Sequence, residues 1–296
     1  MIDGALLLDK PIGLSSNRAL QEAKKAFGAK KAGHAGTLDP LASGLLIVLF
    51  GEATKFAGPL LDDDKEYLAT LKLGEKTSTG DAEGQVIQRG EFFSLEAQQV
   101  GPVLERFKGE IEQVPPMHSA LKRDGVPLYA LAREGKTVPR EARRIRVSEL
   151  ESIELKLPYL TLRVRCSKGT YVRTLAEDIG AALGTCAHLA ALRRTASGRW
   201  RVEDAVPLDA LSGASRMKHL LPLPALLGDL PRAELDATQE ARFRNGQSLD
   251  SFPGEGLRAV YGADGSVIGL GHAGPGGALR PLRLVAQAAD KHRKTL

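Results

Sequence analysis

The sequence predicts an α/β chain of the α+β type, a sheet flanked by helices, followed by a small all-β module. Three observations carry this. Leu45-Leu-Ile-Val-Leu-Phe50, closed by Gly51, is an unbroken apolar run, the pattern of a strand buried on both faces. Residues 66–73 and 160–166 alternate with period two, placing Tyr67, Ala69, Leu71 and Leu73, then Leu160, Leu162, Val164 and Cys166, on single faces. Around Leu220-Leu-Pro-Leu-Pro-Ala-Leu-Leu-Gly228 the chain turns proline-rich, which reads as a transition between domains.

In chain order, Ala5-Leu-Leu-Leu8 is a short strand ended by the turn Asp9-Lys-Pro-Ile-Gly13. Ser15 or Ser16 caps a helix with Leu20, Ala23, Ala26 and Phe27 on one face, and Gly28 stops it. The stretch from Lys31 to Gly44, KAGHAGTLDPLASG, then forms a loop leading into the buried strand. Gly33, Gly36 and Gly44 permit backbone angles that other residues avoid. Pro40 drives Asp39 into an extended conformation, so its carboxylate stands on an irregular loop. An Asp before Pro commonly braces its own turn. A glycine-framed loop on a buried strand is also a way to present one reactive side chain. The local sequence leaves both readings open.

Asp81-Ala-Glu-Gly84 is a turn leading into residues 85–88, and Ser94, with Glu96 in the first turn, starts a helix carrying Val100, Val103, Leu104 and Phe107. Residues 109–144 are polar and basic, broken by Pro115, Pro116, Gly125, Pro127, Gly135 and Pro139, and read as a protruding insertion. Regular structure resumes at Ile145. The 160–166 strand ends in Ser167-Lys-Gly-Thr170, and the next helix carries Val172, Leu175, Ile179 and Leu183 up to Gly184. Residues 187–194 form another short strand. Past the transition come a short helix near 238–243, an Asn245-Gly246 turn and strands near 257–261, 267–270 and 281–285, a small barrel or sandwich. The domains are therefore 1–228 and 229–296.

With 43% hydrophobic and 26% charged residues among 296, this is the composition of an ordinary globular protein. Two cysteines without a CxxC pair and six scattered histidines suggest neither a disulfide framework nor a metal site. No apolar stretch approaches spanning length and the first residues carry acids, so a cytoplasmic protein with no membrane partner is expected. The net charge is +5, but the cations cluster at Lys24, Lys25, Lys30 and Lys31, at Arg140, Arg143, Arg144 and Arg146, and at Arg193, Arg194, Arg199 and Arg201. Such clusters point to a polyanion partner. Aromatics at 5% leave no broad stacking platform. Phosphate-loop, GxGxxG and GxSxG motifs are absent from the sequence. Single residues at predicted strand ends remain: Asp39, Tyr67, Asp81, Tyr171 and Arg173.

The stretch from Gly33 to Gly44 resembles the catalytic motif of the bacterial tRNA pseudouridine-55 synthases, the TruB family. Leu8-Asp-Lys-Pro11, Gly51-Glu-Ala-Thr-Lys55, Lys65-Glu-Tyr67, Gly80-Asp-Ala-Glu-Gly84, Pro139-Arg-Glu-Ala-Arg143, Cys166-Ser-Lys-Gly-Thr-Tyr-Val-Arg-Thr174 and Leu192-Arg-Arg194 resemble further family blocks, in family order. The likeness is dense over residues 4–210; Phe243-Arg-Asn-Gly-Gln247 and the closing β pattern look like a PUA domain. The resemblance implies a pseudouridine synthase fold, with a central mixed, largely antiparallel sheet, and an RNA-modifying isomerase acting without cofactor or metal on the T-arm of tRNA. It implies Asp39 as nucleophile and Arg173 as its partner, keeping the carboxylate ionised where burial would protonate it. Tyr67 would stack on the flipped base and mediate a proton transfer, Tyr171 and Leu192 would wall the pocket, and His34 would enter the space the nucleotides vacate. Asp81 would support the pocket. The 109–144 insertion resembles the family's thumb, which would close over bound RNA, and no obligatory protein partner is expected of what would be a monomer. A non-enzymatic RNA-binding protein or tRNA-folding chaperone on the same scaffold is the competing expectation.

Overall fold

The fold is that of a computed structural model, which describes residues 2–286 except Phe93, Ser94, Ala120 and Asp124. The first half begins with β1 (Gly4–Lys10), α1 (Ser16–Phe27), β2 (Ala32–Ala35) and β3 (Ala42–Phe50). A 3-10 turn (Gly51–Phe56) leads to α2 (Ala57–Asp62) and β4 (Lys65–Leu73). Then come β5 (Glu75–Thr77), β6 (Val86–Arg89), α3 (Ala97–Glu105) and β7 (Gly109–Gln113). The short elements β8 (Lys122–Arg123), β9 (Val126–Pro127) and α4 (Leu128–Arg133) precede the long β10 (Arg143–Lys156) and β11 (Tyr159–Cys166). After α5 (Val172–Ala182) and β12 (Ala187–Ser197) follow β13 (Trp200–Arg201) and β14 (Val206–Pro207). The C-terminal part holds β15 (Arg232–Leu235), α6 (Ala237–Arg244), β16 (Gly256–Gly262), β17 (Val267–Ala273) and β18 (Leu279–Leu284).

One sheet organises the first part, in the order β14-β1-β3-β12-β4-β11-β10-β7, with β2 added to β3 and β13 to β12. Only β1–β14 and β3–β12 pair in parallel, so the sheet is mixed and largely antiparallel. The run 45–50 is apolar throughout because both faces of β3 are covered. Leu46, Val48 and Phe50 pack with Leu20, Ala23 and Phe27 of α1, while Leu45, Ile47 and Leu49 join a core shared with Tyr261, Val267 and Leu270. Each buried leucine contributes about 1.5–3 kcal/mol. A third core lies under α3 and α5, where Leu71, Leu162 and Val164 meet Val100, Leu175 and Ile179.

The C-terminal strands form a second sheet, β15-β16-β17-β18, with α6 started by an Asp236–Gln239 capping box. Beyond the shared core, Lys55 Nζ donates to Leu284 O at 2.7 Å and Glu52 Oε2 accepts from Ala286 N at 2.7 Å. The two sheets are thus pinned by both apolar and polar contacts.

Several expectations move. Gly33 lies inside β2 at an ordinary φ, whereas Gly36 and Gly44 take φ of 86° and 98°. His34 is on that strand too, paired with Val48, and not in a loop. The Ser94 cap falls outside the described residues; Glu96, expected inside the first turn, is itself the N-cap of α3. Residues 109–113 pair with 143–147 as the sheet's edge, so the irregular stretch is 114–142. β12 runs on to Ser197, and β15 carries no periodic signal long enough to notice.

Candidate active site

Ser16, the first residue of α1, fixes the glycine loop. Its hydroxyl accepts from Leu38 N at 2.7 Å and donates to Leu38 O at 2.9 Å, while Gly13 N donates to Pro40 O at 2.8 Å. Ala42 N closes the loop onto Asp39 O at 3.0 Å. At Gly44 a Cβ would fall 2.3 Å from the carbonyl oxygen of Arg194, so β3 and β12 approach only because that position has no side chain. Asp39 is held by backbone and helix, and the turn chemistry and the presentation of a carboxylate are the same feature.

The loop borders a pocket of about 290 Å³ lined by Asp39, Lys65, Tyr67, Tyr171, Arg173, Leu192 and Arg194 among others. Five residues singled out in the sequence therefore converge there from the glycine loop, β4, the N-terminus of α5 and β12. Tyr67 pairs across the sheet with Arg194, and Leu192 sits between Ala42 and Ala69. His34 is absent from this lining; it is half-buried on β2, with its pKa lowered first by burial and then by Arg194.

Arg173, with its side chain 7% exposed, is bonded on both terminal nitrogens. Nη2 lies 3.0 Å from Asp39 Oδ2 and donates to His118 O at 2.6 Å; Nη1 donates to Thr79 O at 3.2 Å and lies 3.7 Å from Asp81 Oδ2. Asp81 is in turn fixed by Thr79 Oγ1 at 2.6 Å and by Glu83 N at 3.1 Å. Burial pushes the Asp39 carboxyl above its ordinary value of 3.8, the Arg173 guanidinium opposing and Asp81 adding to the rise. The Asp39 side chain nonetheless stays 43% exposed toward the pocket. A carboxylate pinned by an arginine yet open to a cavity suits nucleophilic attack on a substrate seated there. Tyr67 and Tyr171 both have hydroxyls made harder to ionise by burial, so both enter the pocket as neutral phenols.

The insertion reaches this site directly. His118 holds Arg173 through its carbonyl, Ser119 lines the pocket, and Gln113 clamps Tyr171 by accepting from its N–H at 2.8 Å and donating to its carbonyl at 3.1 Å.

Lys10, near Asp39, and Arg194, in the pocket lining, were not anticipated at the site. Lys10 is fully buried, donates to Pro11 O and Leu14 O at 2.9 and 2.6 Å, and has its pKa lowered to about 8, mainly by desolvation, with Asp39 opposing. Arg194, expected in a surface cluster, is 1% exposed beneath the pocket. Its neighbours are spoken for as well. Arg193 forks onto Asp9 at 3.0 and 2.7 Å, Arg199 meets Asp229 at 3.1 Å, and Arg201 lies 3.6 Å from Glu66. The third basic cluster is therefore mostly internal or paired, whereas Lys25, Lys30, Lys31, Arg143 and Arg144 are exposed. Among the described residues, no cluster of His, Cys, Asp and Glu could hold a metal ion and no helix is long and apolar enough to cross a membrane.

Comparison with known proteins gives the geometry its context. Residues 24–172 match the model of the TruB family pseudouridylate synthase N-terminal domain, 173–227 that of the tRNA pseudouridylate synthase B C-terminal domain, and 231–285 that of the pseudouridine synthase II TruB C-terminal domain. The tRNA pseudouridine synthase B of Dechloromonas aromatica (strain RCB) is 52% identical over 98% of this chain and 97% of its own. That of Burkholderia mallei (strain NCTC 10247) is 54% identical over 97% and 98%. Among solved structures, one of an H/ACA RNP bound to a substrate RNA containing 2'-deoxyuridine superposes with a TM-score of 0.72 at 24% identity, covering 96% of this chain and 85% of that one. A Cbf5-Nop10-Gar1 complex gives 0.71 at 26% identity, with 96% and 84% covered. With family models spanning both parts of the chain and relatives matched along nearly their whole length, the chain belongs to the TruB family of pseudouridylate synthases and is an isomerase of RNA uridine.

Proposed function

We propose that the protein converts the T-loop uridine at position 55 of tRNA to pseudouridine, with Asp39 as nucleophile. The Asp39–Arg173 pair, 3.0 Å apart at the edge of the pocket, is the observation that carries this. The reaction detaches uracil from C1′ of the ribose, turns it and rejoins it through C5, which a base inside a helical stack cannot undergo. Tyr67, Tyr171 and Leu192 offer a flipped uracil two ring faces and an apolar edge, and Tyr67 serves as a proton relay. His34 fills the space left in the RNA loop, and Arg173 keeps Asp39 ionised. Exposed Lys25, Lys30 and Lys31, together with Arg143 and Arg144, supply phosphate contacts. The insertion serves as a thumb over the RNA, the sheet of β15–β18 as a PUA-like RNA-binding domain, and one cytoplasmic chain acts alone, without cofactor.

Tritium release from C5-labelled uridine in an unmodified tRNA transcript tests the reading, with the wild type against Asp39→Asn. Release by the wild type alone is expected. Release by both proteins, or by neither, removes Asp39 as nucleophile of an active synthase.

A further inference from the structure

Arg194 is a buried cation that the reaction as written above does not use. It stands at the middle of the large sheet, its backbone paired with Gly44 of β3 on one side and Tyr67 of β4 on the other. Nε donates to Leu45 O at 2.6 Å, Nη2 to Gly36 O at 3.2 Å, and the side chain hydrogen-bonds the Tyr67 phenol, so among the described residues its partners are carbonyl dipoles and one hydroxyl in place of a carboxylate. Ion pairs are the usual company of a buried guanidinium, because an unpaired buried charge is costly. Its positive field is felt all round: burial is the main cause of the lowered pKa of Lys10, His34 and Lys65, Arg194 adds to the lowering at each, and it opposes the burial-driven rise at Tyr67. Arg194, Lys65 and Tyr67 line the same cavity as Asp39. A pocket floor with an uncompensated positive charge favours a ligand that becomes negative.

Uracil becomes negative in this reaction by either route. If an Asp39 oxygen bonds to C1′, the C1′–N1 bond breaks and its electron pair stays on N1, shared with O2 and O4. If the oxygen bonds to C6, the C5=C6 π pair shifts and the charge rests on O4. We propose that Arg194 is a positioning residue for this chemistry: its guanidinium, acting through the Tyr67 hydroxyl at the pocket floor, stabilises the negative charge that the uracil takes up. This rests on the pseudouridylation reading and adds to it a second arginine with a separate task. Arg173 serves the nucleophile and Arg194 serves the base.

Fluorine at C5 withdraws electron density and stabilises a uracil anion by itself, so it separates charge stabilisation from a merely structural role. Single-turnover loss of the parent nucleoside is followed by chromatography after nuclease digestion, on transcripts carrying uridine or 5-fluorouridine, with wild type, Arg194→Met and Arg194→Lys. Arg194→Met is expected to slow the uridine reaction by about 100-fold but the 5-fluorouridine reaction by less than about 10-fold. Arg194→Lys, which keeps the charge, is expected to retain most of the rate. Transcript affinity is expected to stay within about two-fold of wild type. Equal slowing on both substrates, or a Lys variant as slow as the Met variant, overturns the proposal. Should Arg194→Met fail to fold, Arg194→Gln, which keeps hydrogen-bonding groups but no charge, is compared on the two substrates in its place, with the same outcomes deciding. A wild type that leaves uridine unconverted would instead sink the pseudouridylation reading.

Discussion

The two walls of the pocket are built differently. On the sheet side, Asp39, Tyr67, Leu192 and Arg194 stand on or beside β3, β4 and β12, three central strands, and the loop is stitched to α1 by both hydrogen bonds of Ser16. On the insertion side, His118 and Ser119 belong to a stretch whose own regular structure is a two-residue hairpin and the short α4. Among the described residues it meets the site through the His118 carbonyl on Arg173, through Ser119 in the pocket lining and through the Gln113–Tyr171 clamp at its root. The difference is one of anchoring: the carboxylate side of the pocket stands on central strands, whereas the insertion side is held by few bonds, and segments held that way open most readily.

Perturbing each wall separately should therefore give different failures. The largest effect belongs to Asp39→Asn, expected to reduce single-turnover tritium release by at least about 1,000-fold while leaving RNA affinity within about two-fold. A large affinity loss would show that the loop is a binding element instead. Next comes Arg173→Gln, expected to lower the rate by about 100-fold and to move the Asp39 titration. Since burial raises that pKa and Arg173 opposes the rise, removing the guanidinium should send it further above 3.8. The ionised form then disappears at higher pH as the solution is acidified. Carbon-13 NMR of labelled aspartate reads this directly, and a shift downward would contradict the assigned cause.

Ser16→Ala tests the stitched wall. Losing both bonds to Leu38 should lower stability by about 1–3 kcal/mol in urea unfolding and slow turnover by about ten-fold through misplacement of Asp39. Full activity would mean the loop is rigid without its helix. The smallest effect on chemistry is expected on the other wall. Neutralising Arg140, Arg143 and Arg144 together should weaken binding in a low-salt filter assay and flatten its salt dependence by roughly 0.7–0.9 per lost phosphate contact. The rate at saturating RNA should hold, and unchanged affinity would remove these arginines from the RNA interface.

Much of this was legible in the residues. The run at 45–50 announced a strand covered on both sides, Ser15 or Ser16 and Gly28 marked the ends of α1, with Ser15 proving to be the cap, and the alternation of 160–166 gave β11 its buried face. Strand order was not legible, because which strands pair depends on contacts distant in sequence, such as Arg194 against both Gly44 and Tyr67. That same pairing hid Arg194. Adjacent arginines look alike in a basic cluster, but strand alternation sends Arg193 to Asp9 and Arg194 inward. No clean period two runs over 187–197, because the strand carries irregularities between Leu189 and Ala191 and between Arg194 and Ala196, so the residues alone do not separate the inward arginine from its neighbour. Lys10 was hidden similarly, since β1 continues past Leu8 and takes the lysine into the core.

The core that Leu45, Ile47 and Leu49 share with Tyr261, Val267 and Leu270 has a consequence for engineering. The C-terminal sheet is not a cassette that can be unplugged. A chain cut after residue 228 would bare a greasy face on the very strand that leads out of the glycine loop, and such a fragment would clump before it could be assayed. The shared core leads us to expect the two sheets to unfold as one cooperative unit, which calorimetry should register as a single endotherm.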